Sequence, residues 1–212
     1  KLPMNEKITI TTDDMDRLKG TTSRMRPGTT LTRAELLKLA LMASENRAAA
    51  ALARTYPGGT AAALMMMNNK ARALGMSSTR FFDPTGLDSN NVSTAQDLVV
   101  MVRASQRYEP IRRFSTSTSH IVQVAQQRRP LRFGNTNPLV KNDSWNIGIS
   151  KTGYITEAGR CLVMQAKISN RPVIIVLLDS WGKRTRVGDA VRIKKWMESS
   201  SVKTARFNNR QG

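Results

Sequence analysis

Six consecutive aliphatic residues, Val173-Ile174-Ile175-Val176-Leu177-Leu178, constrain this 212-residue chain more than any other feature. Side chains of a strand alternate between faces, so a run that is apolar at every position reads as a strand covered on both sides. It calls for a layered fold with other elements packed on each face of a sheet. Two strands precede it at short spacing, over 146–154 and 161–168, and the run itself lies in a third over 172–179. Links this short pair neighbouring strands antiparallel. The run then has one partner, the preceding strand, and an open edge on such a strand is an aggregation hazard. Either Glu6-Lys-Ile-Thr-Ile-Thr-Thr12, a short alternating β-branched strand, closes that edge, or strands upstream of Lys1 in the natural protein do. The second alternative is the expectation.

The first half of the chain reads as helical. Pro27-Gly28 marks a turn, and Thr32 with Glu35 forms a capping box that opens a helix through Leu36, Leu37, Leu39, Ala40 and Leu41. Ser44-Glu45-Asn46 interrupts it, and an alanine-rich second helix covers 47–54. Tyr56-Pro57-Gly58-Gly59 is a loop, after which Thr60 caps a third helix that ends at Gly75. Asp83-Pro-Thr-Gly-Leu87 is a turn, and Ser93 with Gln96 caps a helix over 95–105. Further on, 121–124 and 131–133, separated by a polar link, predict a hairpin. An amphipathic helix over 188–198 presents Val191, Ile193 and Trp196 to the core, and residues 199–212 read as a basic flexible tail. The expected fold is therefore α+β, an antiparallel sheet flanked by helices with a mainly helical lobe, in one domain over 1–198.

Charge sets the kind of neighbourhood. Thirty-four Lys and Arg against 15 Asp and Glu give a net charge of +19, a field that draws polyanions. No zinc-finger, helix-turn-helix or RNP-type pattern is present and aromatics are only 5%, so nucleic acid is not an expected partner. A lone cysteine, Cys161, permits no internal disulfide, and with His120 as the one histidine no metal site is expected. His120 follows a Ser/Thr-rich turn and reads as an exposed loop histidine rather than a triad base. No apolar run approaches the ~18 residues of a spanning helix. The chain opens without a start methionine or signal peptide, as an excised or processed segment does.

Two short patterns carry possible chemistry. Lys151-Thr152-Gly153, near the end of a predicted edge strand, offers a cation and a hydroxyl to a substrate carboxylate, and Gly153 lets a ligand lie against the backbone. Ser44-Glu45-Asn46 places a hydroxyl and an amide at a break between helices. That spacing recurs at Ser89/Asn91 and Ser144/Asn146, and alone it reads as a helix cap. In combination with the stretches 32–50, Asp83-Pro-Thr-Gly-Leu87, Asn135-Thr-Asn-Pro-Leu-Val140 and 151–163, taken in order, the chain resembles the D-alanyl-D-alanine peptidase family of penicillin-binding proteins. The Ser-Glu-Asn form looks most like its single-domain, type 7 endopeptidases.

The resemblance implies a β-lactamase/transpeptidase-like fold and three motifs, Ser-x-x-Lys, Ser-x-Asn and Lys-Thr-Gly. The first is the departure. Ser180/Lys183 and Ser200/Lys203 have its spacing but follow Lys-Thr-Gly, and neither has a predicted helix to set serine and lysine on one face. The nucleophilic motif is expected immediately upstream of Lys1, with the missing strands. By the resemblance, the missing serine attacks a D-alanyl carbonyl and Ser44 relays a proton to the departing amine beside Lys151. Asn46 binds the substrate amide and steadies the missing lysine, Lys151 and Thr152 hold the substrate carboxylate, and the Tyr154 N–H supplies half an oxyanion hole. No cofactor is required. The resemblance also implies a periplasmic location, peptidoglycan peptides as substrate and β-lactams as covalent inhibitors. Carboxypeptidase and β-lactamase activity are alternatives on the same scaffold, though the 83–88 loop offers no glutamate for a β-lactamase. An alternative of another class is a non-catalytic polyanion-binding module.

Overall fold

The computed structural model describes residues 2–124 and 129–208 of the chain. Its framework is the three-stranded antiparallel sheet β5 (Asn146–Ile155), β6 (Gly159–Ile168) and β7 (Arg171–Ser180), in that order. Ser169 and Asn170, both left-handed (φ 47° and 62°), close the two-residue turn between β6 and β7. This is the pairing of positive dihedrals that suits the twist of a tight hairpin.

Elements lie on both faces of the aliphatic run, but they cover it only in part: Ile175 is buried, Val173, Ile174, Val176 and Leu177 are half-buried, and Leu178 is exposed. In β6, Leu162, Met164, Ala166 and Ile168 share a face with Ile175 of β7 and pack on Ala190 of α6 (Thr185–Asn208). On the opposite face, α4 (Ala95–Ser105) packs against β6 and β7, and its Leu98 shares a hollow with Val163 and Leu178. The α+β architecture is thus the one expected.

The N-terminal strand does not close the sheet. β1 (Lys7–Thr9) pairs antiparallel with β2 (Thr30–Thr32) in a separate ribbon, and among the described residues β7 pairs with β6 alone. That ribbon belongs to the helical lobe, where Ile8, Ile10 and Leu31 pack on Leu36, Leu39 and Met42 of α1 (Arg33–Ala43). The hairpin β3 (Ser119–Val122) and β4 (Leu131–Gly134) adds Val122 and Phe133 to the same core. Residues 125–128, in the link of that hairpin, lie outside the described residues.

The capping box is present: the Thr32 hydroxyl accepts the Glu35 N–H (3.2 Å), while the Glu35 carboxylate accepts the Thr32 N–H (2.9 Å). α2 (Asn46–Arg54) follows at the expected break. Two helix starts and one helix differ from expectation. α3 (Gly59–Ala73) starts one residue before Thr60, behind a left-handed Gly58, so Thr60 is not its cap. α4 is capped by Thr94 through the Asp97 N–H, one residue after Ser93. α5 (Glu109–Ser115) was not anticipated; seven residues with Pro110 in the first turn are too short for a periodic pattern.

At the C-terminus, α6 runs on to Asn208, into the stretch expected to be a tail, whose residues 209–212 lie outside the described residues. No glycine or proline interrupts it after Gly188, and the Ser199 and Ser200 hydroxyls bond back to the Trp196 carbonyl within the helix. Trp196 points outward, while Val187, Val191, Ile193 and Met197 make the packed stripe. No helix among the described residues is long and apolar enough to cross a membrane.

Candidate active site

Ser44 owes its place to a bend in the backbone. It caps α1 with left-handed dihedrals (φ 53°, ψ 41°), and Glu45 then caps α2 by accepting the Ala48 N–H at 3.1 Å. A side chain in that region of dihedral space costs roughly 1–2 kcal/mol. The bend brings Ser44 to β5, where Lys151 Nζ donates to Ser44 Oγ at 2.5 Å and to the Thr152 carbonyl at 2.5 Å. A hydroxyl from the helical lobe and an ammonium from the sheet therefore meet where the two layers join.

Burial, and after it the Arg186 guanidinium, push Lys151 down from 10.5 to about 8. Arg186 stands in the first turn of α6, 3.5 Å from the Gly153 carbonyl, and its own pKa is lowered by burial and by Arg160. Sequence reasoning missed it, because only the packing of α6 on the sheet brings position 186 beside 153. A step that needs protonated Lys151 loses rate as pH rises through about 8. In Arg186→Gln, removal of the like charge should move that basic limb upward, yet keep it below 10.5 because burial is the larger cause. A pH–rate profile with an unmoved limb would assign the titration to another group.

The segment 135–140 ties the lobes together, a role the sequence did not disclose. The Thr136 N–H donates to the Met42 carbonyl at the end of α1 (3.0 Å), and the Thr152 hydroxyl donates to Thr136 Oγ1 (2.6 Å). Fully buried Asn137 donates to the hydroxyl of Ser150, next to Lys151, at 2.9 Å. Thr152 is 6% exposed, and its hydroxyl proton is engaged with Thr136. In this arrangement Thr152 has only acceptor capacity to spare, so it is not a ready donor to a carboxylate.

The predicted residues do not all share one hollow. Ser44 and Asn46 line a hollow of about 410 Å³ with Arg24 and Phe133, whose cation–π contact is 4.3 Å. Lys151, Thr152 and Gly153 line another of about 500 Å³ beneath Leu98 and Phe81. The Ser44–Lys151 hydrogen bond joins the two. Asn46 is the residue set apart: its amide donates to Thr21 Oγ1 at 2.7 Å, away from Lys151. Gly153 and Tyr154 are exposed on edge strand β5, and a Cβ at Gly153 would meet Cys161 at an ordinary 3.7 Å. Crowding within the protein thus does not require that glycine.

His120 is no loop histidine. It lies in β3 opposite Phe133, half-buried, with Nε2 4.0 Å from Glu35 and its pKa lowered by burial and Lys38 against an opposing pull from Glu35. No group of three or more His, Cys, Asp or Glu side chains that could hold a metal ion occurs among the described residues.

A sequence profile described as D-alanyl-D-alanine carboxypeptidase matches residues 1–182. The chain belongs to that family. It is 46% identical over 202 residues to a D-alanyl-D-alanine endopeptidase of Pseudomonas aeruginosa and 45% identical over 202 residues to one of Escherichia coli. In each case the match covers 95% of this chain and 65% of the relative's length. Among solved structures, a Streptomyces DD-transpeptidase superposes with a TM-score of 0.82 at 26% identity, over 92% of this chain and 79% of the other. A D-alanyl-D-alanine carboxypeptidase from Mycobacterium tuberculosis gives 0.75 at 25% identity, over 89% and 74%.

For a member of the D-alanyl-D-alanine carboxypeptidase family, the serine–lysine pairs outside the described contact matter. Ser180 ends β7, and Lys183 follows in the turn through Trp181-Gly182. Ser200 and Lys203 do lie on a helix, contrary to expectation, because α6 continues through them. They stand 14 or more residues beyond Arg186, about 21 Å along the helix axis at 1.5 Å per residue.

Proposed function

We propose that the chain supplies the Ser-x-Asn and Lys-Thr-Gly half of the active site of a serine-type D-alanyl-D-alanine endopeptidase that opens peptide cross-links of peptidoglycan in the periplasm. The observation that carries this reading is the hydrogen bond from Lys151 Nζ to Ser44 Oγ across the junction of lobe and sheet. The attacking serine and its lysine come from a Ser-x-x-Lys motif beyond residues 1–212. The serine adds to the D-alanyl carbonyl, the amine leaves with a proton delivered through Ser44, and water then frees the acyl group. Lys151, its pKa lowered to about 8, is still mostly charged at neutral pH beside Ser44 and can restore its proton at small cost.

The substrate carboxylate is held by Lys151 with Arg186 as the second cation, and Thr152 joins only if its hydroxyl turns from Thr136. The outer edge of β5, unpaired among the described residues, gives an extended peptide a backbone ladder, with the Tyr154 N–H available to the oxyanion. Asn46 reaches the substrate amide on exchanging its Thr21 contact. Against β-lactamase activity, the Asp83 carboxylate is committed to its own turn, accepting from Thr85 Oγ1 (2.6 Å) and Leu87 N (2.8 Å). No cofactor enters the scheme, and β-lactams should acylate the same serine.

Fluorescent penicillin tests the reading. The product of the native gene should become labelled on a Ser-x-x-Lys serine, while a chain limited to residues 1–212 stays unlabelled by intact mass. An adduct on Ser44, Ser180 or Ser200 would overturn the placement of the nucleophile, and an unlabelled native product would overturn the function.

A further inference from the structure

Arg160 stands beside the carboxylate site described above without a part in it. On β6 it pairs across the sheet with Tyr154, as Leu162 does with Thr152, so alternation puts Thr152, Tyr154 and Arg160 on one face. Leu162 and Met164 bury that face under α6, whose first turn holds Arg186. The Arg160 guanidinium lies 4.2 Å from the centroid of the Tyr154 ring, and Arg186 comes within 3.5 Å of the carbonyl of Gly153, one residue earlier. The two guanidinium groups are near enough for Arg160 to lower the Arg186 pKa, second only to burial. The contacts that place them run among β5, β6 and α6 and not along the open edge of β7. Among the described residues neither guanidinium is ion-paired with a carboxylate, and Arg186 Nε is buried without a hydrogen-bond partner. Of the acids close in sequence, Glu157 and Asp179 line the hollow of Lys151, and Glu157 is bound by Lys19. Like charges held together with an unused buried donor favour an anion.

We infer that Arg160 distinguishes a cross-link from a terminal D-alanine, by binding a second carboxylate on the leaving side of the scissile bond that a single amino acid does not carry. The inference rests on the peptidase reading above and adds to it a preference for one class of bond. The carboxylate held by Lys151 and Arg186 belongs to the residue that leaves. A carboxypeptidase releases that residue alone. Opening a cross-link instead releases the amino end of a second peptide stem, which brings a further free carboxylate with it. One residue beyond Gly153 along β5, that stem meets the Tyr154–Arg160 pair. The Tyr154 ring holds the Arg160 guanidinium in place, so its planar fork can offer paired N–H donors to a carboxylate with little further loss of freedom.

The test compares, in the native gene product, cleavage of a cross-linked peptide dimer with release of D-alanine from a stem peptide ending in D-alanyl-D-alanine. In Arg160→Gln the ratio of kcat/KM for the dimer to that for the stem peptide should fall about tenfold. Arg160→Lys keeps the charge without the two-pronged contact and should recover only part of the ratio. Amidation of the further carboxylate on the leaving stem should cost the parent about the same factor and cost Arg160→Gln nothing more. An equal fall on both substrates would make Arg160 a structural support, and amidation that costs Arg160→Gln as much as the parent would place the carboxylate elsewhere. Either result overturns the proposal. Penicillin labelling separates it from the reading beneath it. A parent that labels, with a ratio unmoved in Arg160→Gln, loses the subsite and keeps the peptidase, whereas a parent that neither labels nor cleaves loses both.

Discussion

Lys151→Met in the native gene product should lower the rate of penicillin acylation about a hundred- to a thousandfold, the cost of removing one preorganised donor from such a site. The protein should remain folded. Methionine fills a similar volume, and it removes an ammonium whose burial opposes its charge. The folded-state pKa of Lys151 lies below its ordinary value, so between about 8 and 10.5 the unfolded chain binds the proton that the folded one has released. The parent should gain stability across that window as pH rises, and Lys151→Met should lack the gain. Denaturation followed at pH 7 and pH 10 measures the difference. Undiminished acylation in the variant would remove Lys151 from the active site.

The second large effect concerns how the N-terminal segment is fastened to α2. Asp14 is buried with its carboxylate bound in two places by Arg54, Nε to Oδ1 at 2.8 Å and a terminal nitrogen to Oδ2 at 2.9 Å. The Thr11 N–H also donates to it at 2.8 Å. Arg54→Met should destabilise the fold by about 3–5 kcal/mol, because it leaves a buried carboxylate without its counter-ion. Asp14→Asn should cost less, since Arg54 is part exposed and can turn to water. Urea denaturation of the two variants checks the order, and an equal loss would show that burial of Asp14 is not what sets the cost. Arg54→Lys should recover only part of the loss, because an ammonium cannot reproduce the two-pronged contact.

Much of the framework could be read before any coordinates, and the reasons differ from element to element. β5 to β7 were legible because alternation and an aliphatic run are local signals, and the short links left antiparallel pairing as the simple arrangement. The opening of α1 was legible from Thr32 and Glu35, which satisfy each other within four residues. α5 was hidden by its brevity, and the end of α6 by the assumption that a polar basic stretch lacks structure. In the candidate site, Ser44 and Lys151 stood out through short patterns, whereas Thr136 and Arg186 did not. Their places depend on which residues lie opposite one another after the layers pack, and no periodicity encodes that. The orientation of Asn46 toward Thr21 was equally illegible, since both residues read as ordinary polar surface.

The left-handed bend at Ser44 sets chemistry and stability against each other at one position. Glycine there would relax the dihedral tension and strengthen the chain turn, yet it would take away the hydroxyl that meets the lysine. Any other residue keeps the tension and gains nothing from it unless it carries a short hydroxyl. A stabilised variant sought by random improvement would therefore be drawn to trade away this serine first.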